Sequence, residues 1–373
     1  MCYIGIGKEK TWRKKVNKML IYITLATMLF LGGFAKQSKK IYKCSLIALL
    51  LLTAFRKPDW GGFDSIVYMN QFSKVPTLNK LHGFQSDYGI GYILLNSISK
   101  TITDNYIFFQ VLLAVITIIL LNLVIEKAEL TDSEKCFFLF SYFCYRFMWN
   151  TWVTYRQNIA NLIVWLLIVS CWKKRTVKGN VVLIGGSSAA SVFHSSAWAN
   201  FILIPGAKII EKISVKKRMI LLSCASIFLW IFGGKIFQSV LSYAMTKIDS
   251  RYGMYALATL GTSNVVNYIF RLLAFLWLCY AYKNLKYEMK DVALSTLAIM
   301  LLLGSLQSEL MLRIYEYYAI GLYLTLATCI SYFKGRSKII AAVIFYLVMM
   351  VILIRGTLTF SQGVFATYQS CFF

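Results

Sequence analysis

Apolar runs of membrane-spanning length recur along the chain, each closed by a short polar or basic stretch. They lie near 19–35, 41–55, 105–126, 136–153, 157–172, 219–241, 265–282, 291–309, 314–333 and 338–356. A hydrocarbon core of roughly 30 Å takes about 20 helical residues. The pattern therefore predicts an all-α polytopic membrane protein with about ten to twelve transmembrane helices. One segment breaks the rhythm. "GNVVLIGGSSAASVFHSSAWANFILIPGAK" (Gly179–Lys208) has basic flanks on both sides and is too short for two full spans. It predicts a hairpin of two short or tilted helices over 180–207, with His194 near its tip. Irregular backbone at that depth is tolerated where it lines a wet cavity, and Gly185, Gly186 and the Ser/Ala run suit close helix packing. The predicted organisation is a basic leader over 1–18, then a single transmembrane domain over 19–373 with a long loop at 56–104.

Composition supports the membrane reading, since 58% hydrophobic and 16% aromatic residues with three prolines exceed what a soluble domain carries. The formal charge of +25 would suggest nucleic acid in a soluble protein. Here 21 of the 40 basic residues fall in six short loops: Lys36–Lys43, the connection holding Lys127 and Lys135, Lys173–Lys178, Lys208–Arg218, Lys283–Lys290 and Lys334–Lys338. That is the cytoplasmic-side bias of membrane proteins, and strict alternation places all six on one side. Nucleic acid is not an expected partner. The same threading puts residue 19 outside, which conflicts with six basic residues in 1–18 and points to Met19 as the start. The nine cysteines form no C-x-x-C pair; Cys44, Cys136, Cys171, Cys224, Cys279 and Cys329 lie in apolar runs and read as packing residues.

The side opposite the basic loops collects residues a bilayer does not need. Arg156, Arg251, Arg271 and Arg313 come from four regions but map to or near one face. A single such arginine is an ordinary interfacial anchor. Together they suit a phosphate or diphosphate, because the planar guanidinium fork binds it in bidentate fashion. Glu309 and Glu316, one turn either side of Arg313, offer the competing reading of internal ion pairs. "RKPDWGGFDSIVYMNQF" places Asp59, Trp60, Asp64 and Tyr68 around a Gly turn and an amphipathic helix. Carboxylate and aromatic groups suit sugar hydroxyls and ring faces, although Asp64 could equally cap the helix. No metal-binding carboxylate pair stands out, and no G-x-G-x-x-G follows a strand.

Six segments, in this order, carry a resemblance: "GGFDSIVY", "GIGYILLNSI", "YRQNIA", "VFHSSAW", "NYIFR" and "LMLRIYEYY". From about Met19 to Lys338 the chain resembles the EpsG-like family, bacterial polysaccharide polymerases of the Wzy type. The resemblance implies a C-type membrane glycosyltransferase architecture in the bacterial cytoplasmic (inner) membrane. It implies polymerisation of undecaprenyl-diphosphate-linked repeat units at the outer face, in O-antigen or capsule synthesis, with no cofactor. Expected partners are that lipid-linked glycan, membrane lipids and a chain-length regulator. Under this reading Arg156, Arg251, Arg271 and Arg313 hold the diphosphate, Asp64 and His194 compete as general base with Glu309 behind them, and Asp59, Trp60 and Tyr68 contact sugar. His194 could instead be a hydrogen-bonded core residue.

A glycan-to-lipid ligase would use nearly the same site. A flippase would spread charged residues through both halves, often with internal repeats, and no repeat is visible. A membrane acyltransferase would place a histidine and carboxylate near the basic-loop side, whereas His82 and His194 both map opposite. The threading is testable. Single cysteines within 173–178 and 334–338 should be protected from an impermeant thiol reagent added outside, while a cysteine near Asn79 reacts; labelling of both sets from one side would sink the topology.

Overall fold

The computed structural model describes residues 19–60, 63–174, 176–235, 239, 265–359 and 365–372. The expected leader 1–18, the start assignment and Arg251 lie outside the described residues, as does most of the 219–241 run beyond Lys235. The described chain is helical, and it divides into two compact units.

The first unit comprises residues up to 126, then 130–159, then 333–373. Helices α1 (Leu20–Gly32) and α2 (Ser38–Ala54) both pack on α6 (Asp132–Tyr142). Glycine permits the approach at the α1 end. A Cβ on Gly32 would lie 2.6 Å from Ile41 Cγ2, and one on Gly33 would run into the Phe137 ring. Helix α6 starts on a capping box in which Thr131 and Glu134 satisfy each other's backbone amides. Its register then widens into π-helix at Phe143–Phe147 and again at Trp149–Val153. The first π segment packs on α15 (Gly335–Thr359), where Phe140 stacks on Tyr346 and Phe30 meets both rings. The 56–104 loop folds as α3 (Phe63–Lys74), a 3-10 turn at Leu78–Lys80 and α4 (Ile90–Ile102), followed by α5 (Tyr106–Lys127).

The second unit comprises 127–129 and 160–332, so α7 (Tyr155–Cys171) begins in the first unit and continues as part of the second. The centre of the second unit is α12 (Lys290–Ser305). It is buried along most of its length and contacts α9 (Asn200–Glu211), α10 (Val215–Phe228), α11 (Val265–Ala281), α13 (Glu309–Tyr315) and α14 (Ile320–Tyr332). Gly321 lets α14 come against the α12 backbone; a Cβ there would sit 2.6 Å from the Ala293 carbonyl oxygen and collide with Thr296. Helix α8 (Val177–Ala189) packs on α9, and His194 lies in the connection between them, just before a 3-10 turn at Ser195–Ala199.

Several runs read as single spans are interrupted. The 314–333 run breaks at the 3-10 turn Glu316–Tyr318, and the 291–309 run ends at Ser305 before Gln307, whose φ is 53°. Among the described residues, α5 and α15 are long and apolar enough to cross a membrane, with mean hydropathies of 2.7 and 2.6; α1, α11 and α14 are shorter apolar helices. Periodicity cannot reveal such breaks, because Tyr317 and Tyr318 are themselves apolar enough to continue the pattern.

One buried cation ties the first unit together. Arg56 is 2% exposed and donates through Nη1 to the Trp60 carbonyl at 2.7 Å and through Nη2 to the Trp152 carbonyl at 3.4 Å. Its own carbonyl accepts from Gln110 Nε2 at 2.8 Å, and its backbone bridges to Ser370. Replacing it by methionine strands two buried carbonyls, each worth about 1–3 kcal/mol when left unmade. Arg56→Met should therefore lower the unfolding midpoint in detergent, and an unchanged midpoint would show that these contacts contribute nothing.

Candidate functional site

Arg156 is the second residue of α7, where a cation opposes the positive end of the helix dipole. Aromatic rings hold it there. Its guanidinium carbon lies 4.3 Å from the Tyr88 ring centroid, 5.3 Å from Tyr92 and 5.4 Å from Tyr68, and Nε donates to the Tyr68 hydroxyl at 3.4 Å. Tyr68 is contributed by α3, Tyr92 by α4 and Tyr155 by α7, with Tyr88 just before α4. They interlock: Tyr68 and Tyr155 have ring centroids 4.2 Å apart, and the Tyr92 and Tyr155 hydroxyls are 2.9 Å apart. Among the described residues no carboxylate pairs with Arg156. A ring quadrupole attracts a cation without neutralising it, so the charge stays available to an anion.

Tyr68 therefore holds a cation, where the sequence suggested a sugar contact, although the two roles are compatible. Burial pushes its phenol pKa up, and the adjacent Arg156 pulls the other way. Asp64, half-buried in the first turn of α3, is one helical turn from Tyr68 and acts on the same phenol electrostatically. Asp59 is exposed and pairs with Lys57 at 3.3 Å. Trp60, expected as a stacking platform for sugar, is 4% exposed; its ring is surrounded by Trp152 at 5.0 Å, Phe365 at 5.4 Å and Tyr368 at 5.7 Å. The protein itself occupies the ring that a sugar would need.

The second unit holds a separate constellation. His194 Nδ1 and Ser196 Oγ are 2.7 Å apart, and Ser196 Oγ is 3.0 Å from the Tyr317 hydroxyl. This short chain links the α8–α9 connection to the 3-10 turn that interrupts the 314–333 run. The turn is pinned on both sides: the Tyr318 hydroxyl donates to Asn200 Oδ1 at 2.9 Å, and Trp165 Nε1 to the Glu316 carbonyl at 3.1 Å. Arg271 is 3% exposed, sits 5.1 Å from the Tyr315 ring centroid and donates Nη2 to the Gly304 carbonyl at 3.3 Å. Gly304 suits this approach, because a Cβ would come within 2.9 Å of the guanidinium and displace it. Arg313 is half-buried in the last turn of α13, which Glu309 opens. Among the described residues no group of three His, Cys, Asp or Glu side chains is placed to hold a metal ion.

Reading the sequence alone missed Tyr88, Tyr92, Tyr155, Ser196 and Tyr317. With 24 tyrosines in the chain, only Tyr155 gave a signal, by standing next to the arginine that opens α7. No curated protein and no solved structure matches the chain. The family comparison does match, over residues 39–370, a stretch containing both the tyrosine-held Arg156 and the His194–Ser196–Tyr317 chain, and the chain accordingly belongs to the EpsG family, a family of Wzy-like polysaccharide polymerases.

Proposed function

We propose that this protein polymerises lipid-diphosphate-linked oligosaccharide repeat units at the outer face of the bacterial cytoplasmic membrane, as a glycosyltransferase using an undecaprenyl-diphosphate-linked donor. The observation that carries the proposal is Arg156: a full positive charge at a helix N-terminus, packed among neutral tyrosines. Anions bind at helix N-termini because free amides and the dipole point at them, and a guanidinium adds a bidentate donor. A diphosphate fits both features. An anchoring arginine would instead snorkel toward water with no need of three rings.

The reaction follows from that grip. A hydroxyl of the acceptor unit attacks the anomeric carbon of the donor glycan. The bond from that carbon to the diphosphate oxygen breaks, and its electron pair leaves with the oxygen. Charge grows on the diphosphate as the bond lengthens, and Arg156 stabilises it without reorganising; Arg251, Arg271 and Arg313 are the further candidates for this role. The hydroxyl proton passes to a base. Asp64 takes this role in preference to His194 and Glu309, because Asp64 and Arg156 act on the same Tyr68 side chain. The products are a lengthened glycan on the acceptor lipid and a free lipid diphosphate.

Incubating purified protein with a synthetic lipid-diphosphate repeat unit should give a ladder of products. Arg156→Lys keeps the charge but loses the fork, and is expected to lower turnover by about tenfold or more with expression retained. A fully active lysine variant would reduce Arg156 to an anchor. Asp64→Asn should cost roughly 10² to 10⁴ in turnover, the usual worth of a general base, with donor lipid still bound. If Asp64→Asn polymerises normally and His194→Gln does not, the base is the histidine of the Ser196–Tyr317 chain; if both variants are active, neither residue carries the proton.

A further inference from the structure

Arg218 is 3% exposed, yet its guanidinium makes no hydrogen bond or ion pair among the described residues. Nε and Nη1 are sealed from solvent without an acceptor. It differs in this from the other buried arginines, Arg56 and Arg271, which donate to main-chain carbonyls. Removing a cation from water without a partner is among the most costly arrangements a fold can hold. The neighbouring carboxylates are committed elsewhere: Glu211 accepts from Trp172 Nε1 at 3.1 Å, and Asp291 accepts from the Tyr282 hydroxyl. Lys290 donates to the carbonyls of Tyr282 and Leu285. Arg218 acts electrostatically on Cys279 and Tyr282, which places it where the end of α11 meets the start of α10.

The start of α10 adds a second unmet demand. Its N-cap, Ser214, makes no side-chain cap hydrogen bond, and the first turn carries Lys216, Lys217 and Arg218 with no acidic residue. Three cations there oppose the helix dipole. Helix side chains lean back toward the N-terminus of their own helix, so Arg218 is directed at that end, while Lys216 and Lys217 are exposed beside it.

We infer that the start of α10 is a binding site for a phosphate group, held by the free amides of the helix end, Lys216, Lys217 and Nη2 of Arg218. It lies in the second unit, whereas the tyrosine-held Arg156 belongs to the first. The phosphate belongs either to an anionic phospholipid headgroup or to a soluble phosphate compound. Occupancy compensates the buried charge, so this phosphate stabilises the second unit.

The experiment measures thermal unfolding of the delipidated full chain in neutral detergent, with phosphatidylglycerol, phosphatidylcholine or inorganic phosphate added. Phosphatidylglycerol should raise the wild-type midpoint by several degrees and phosphatidylcholine should not. A comparable rise with millimolar inorganic phosphate alone would assign the site to soluble phosphates. Arg218→Leu removes an uncompensated charge, so without additive it should be at least as stable as wild type, and it should lose the response. An equal response of wild type and Arg218→Leu overturns the inference. Should that variant not fold, Lys216→Ala/Lys217→Ala changes only exposed side chains; it should weaken the wild-type response several-fold, and an undiminished response overturns the site equally.

Discussion

A guanidinium buried against two main-chain carbonyls sets the geometry of the first unit. Trp60 closes the turn that leads into α3, and Trp152 lies in the second π segment, four residues before Arg156. Arg56 bonds to both carbonyls, so the two strands of backbone that deliver Asp64 and Arg156 hang from one side chain. Aromatic packing completes the joint, with Trp60, Trp152, Phe365 and Tyr368 around it. The approach of these segments is thereby specified by hydrogen-bond direction as well as by hydrophobic contact, which is non-directional.

Four arginines in well-packed surroundings have been given four different environments. Carbonyl oxygens hold Arg56, tyrosine faces hold Arg156, a carbonyl and one tyrosine ring hold Arg271, and Arg218 has no hydrogen-bond partner among the described residues. Carbonyls take up some of a guanidinium's donors and fix its direction. Rings hold it by quadrupole attraction and leave its donors for a ligand. The distinction separates an arginine whose donors are taken up by the main chain from one whose donors are left largely open, and burial alone does not draw it, since Arg56, Arg218 and Arg271 are all nearly inaccessible.

The helices were largely legible in the sequence because apolar length is a strong signal, as α5 and α15 demonstrate. Between the basic flanks at Lys173–Lys178 and Lys208 the chain forms the short helix α8 and the start of α9, with His194 between them. What escaped was local irregularity. Nothing in "FCYRF" or "WNTWV" announces π-helix, because the extra residue per turn is stabilised by packing around it and not by its own composition. Arg56 looked like one more loop charge beside Lys57, yet one is buried and the other exposed. Trp60 looked like a sugar platform because residue type does not reveal whether a ring faces outward or inward. The tyrosine cage was invisible for a related reason: Tyr68, Tyr88, Tyr92 and Tyr155 are separated by up to 87 positions and meet only through tertiary packing.

The π-helical stretches have a bearing on how this family can change. A π turn is an α-helix with one residue inserted, so the segment from Phe143 to Val153 stores extra backbone that an ordinary helix would not have. Each residue in an α-helix advances the side-chain direction by about 100°. Losing a single residue there would swing everything immediately downstream by about that angle, carrying Arg156 off the tyrosine rings, whereas the same deletion in the exposed turn near Gly83 would leave the helix that carries Arg156 in place. Gaps between related chains should accordingly be scarce just upstream of α7 and more common in the exposed 78–83 stretch, even where the amino acids themselves diverge freely.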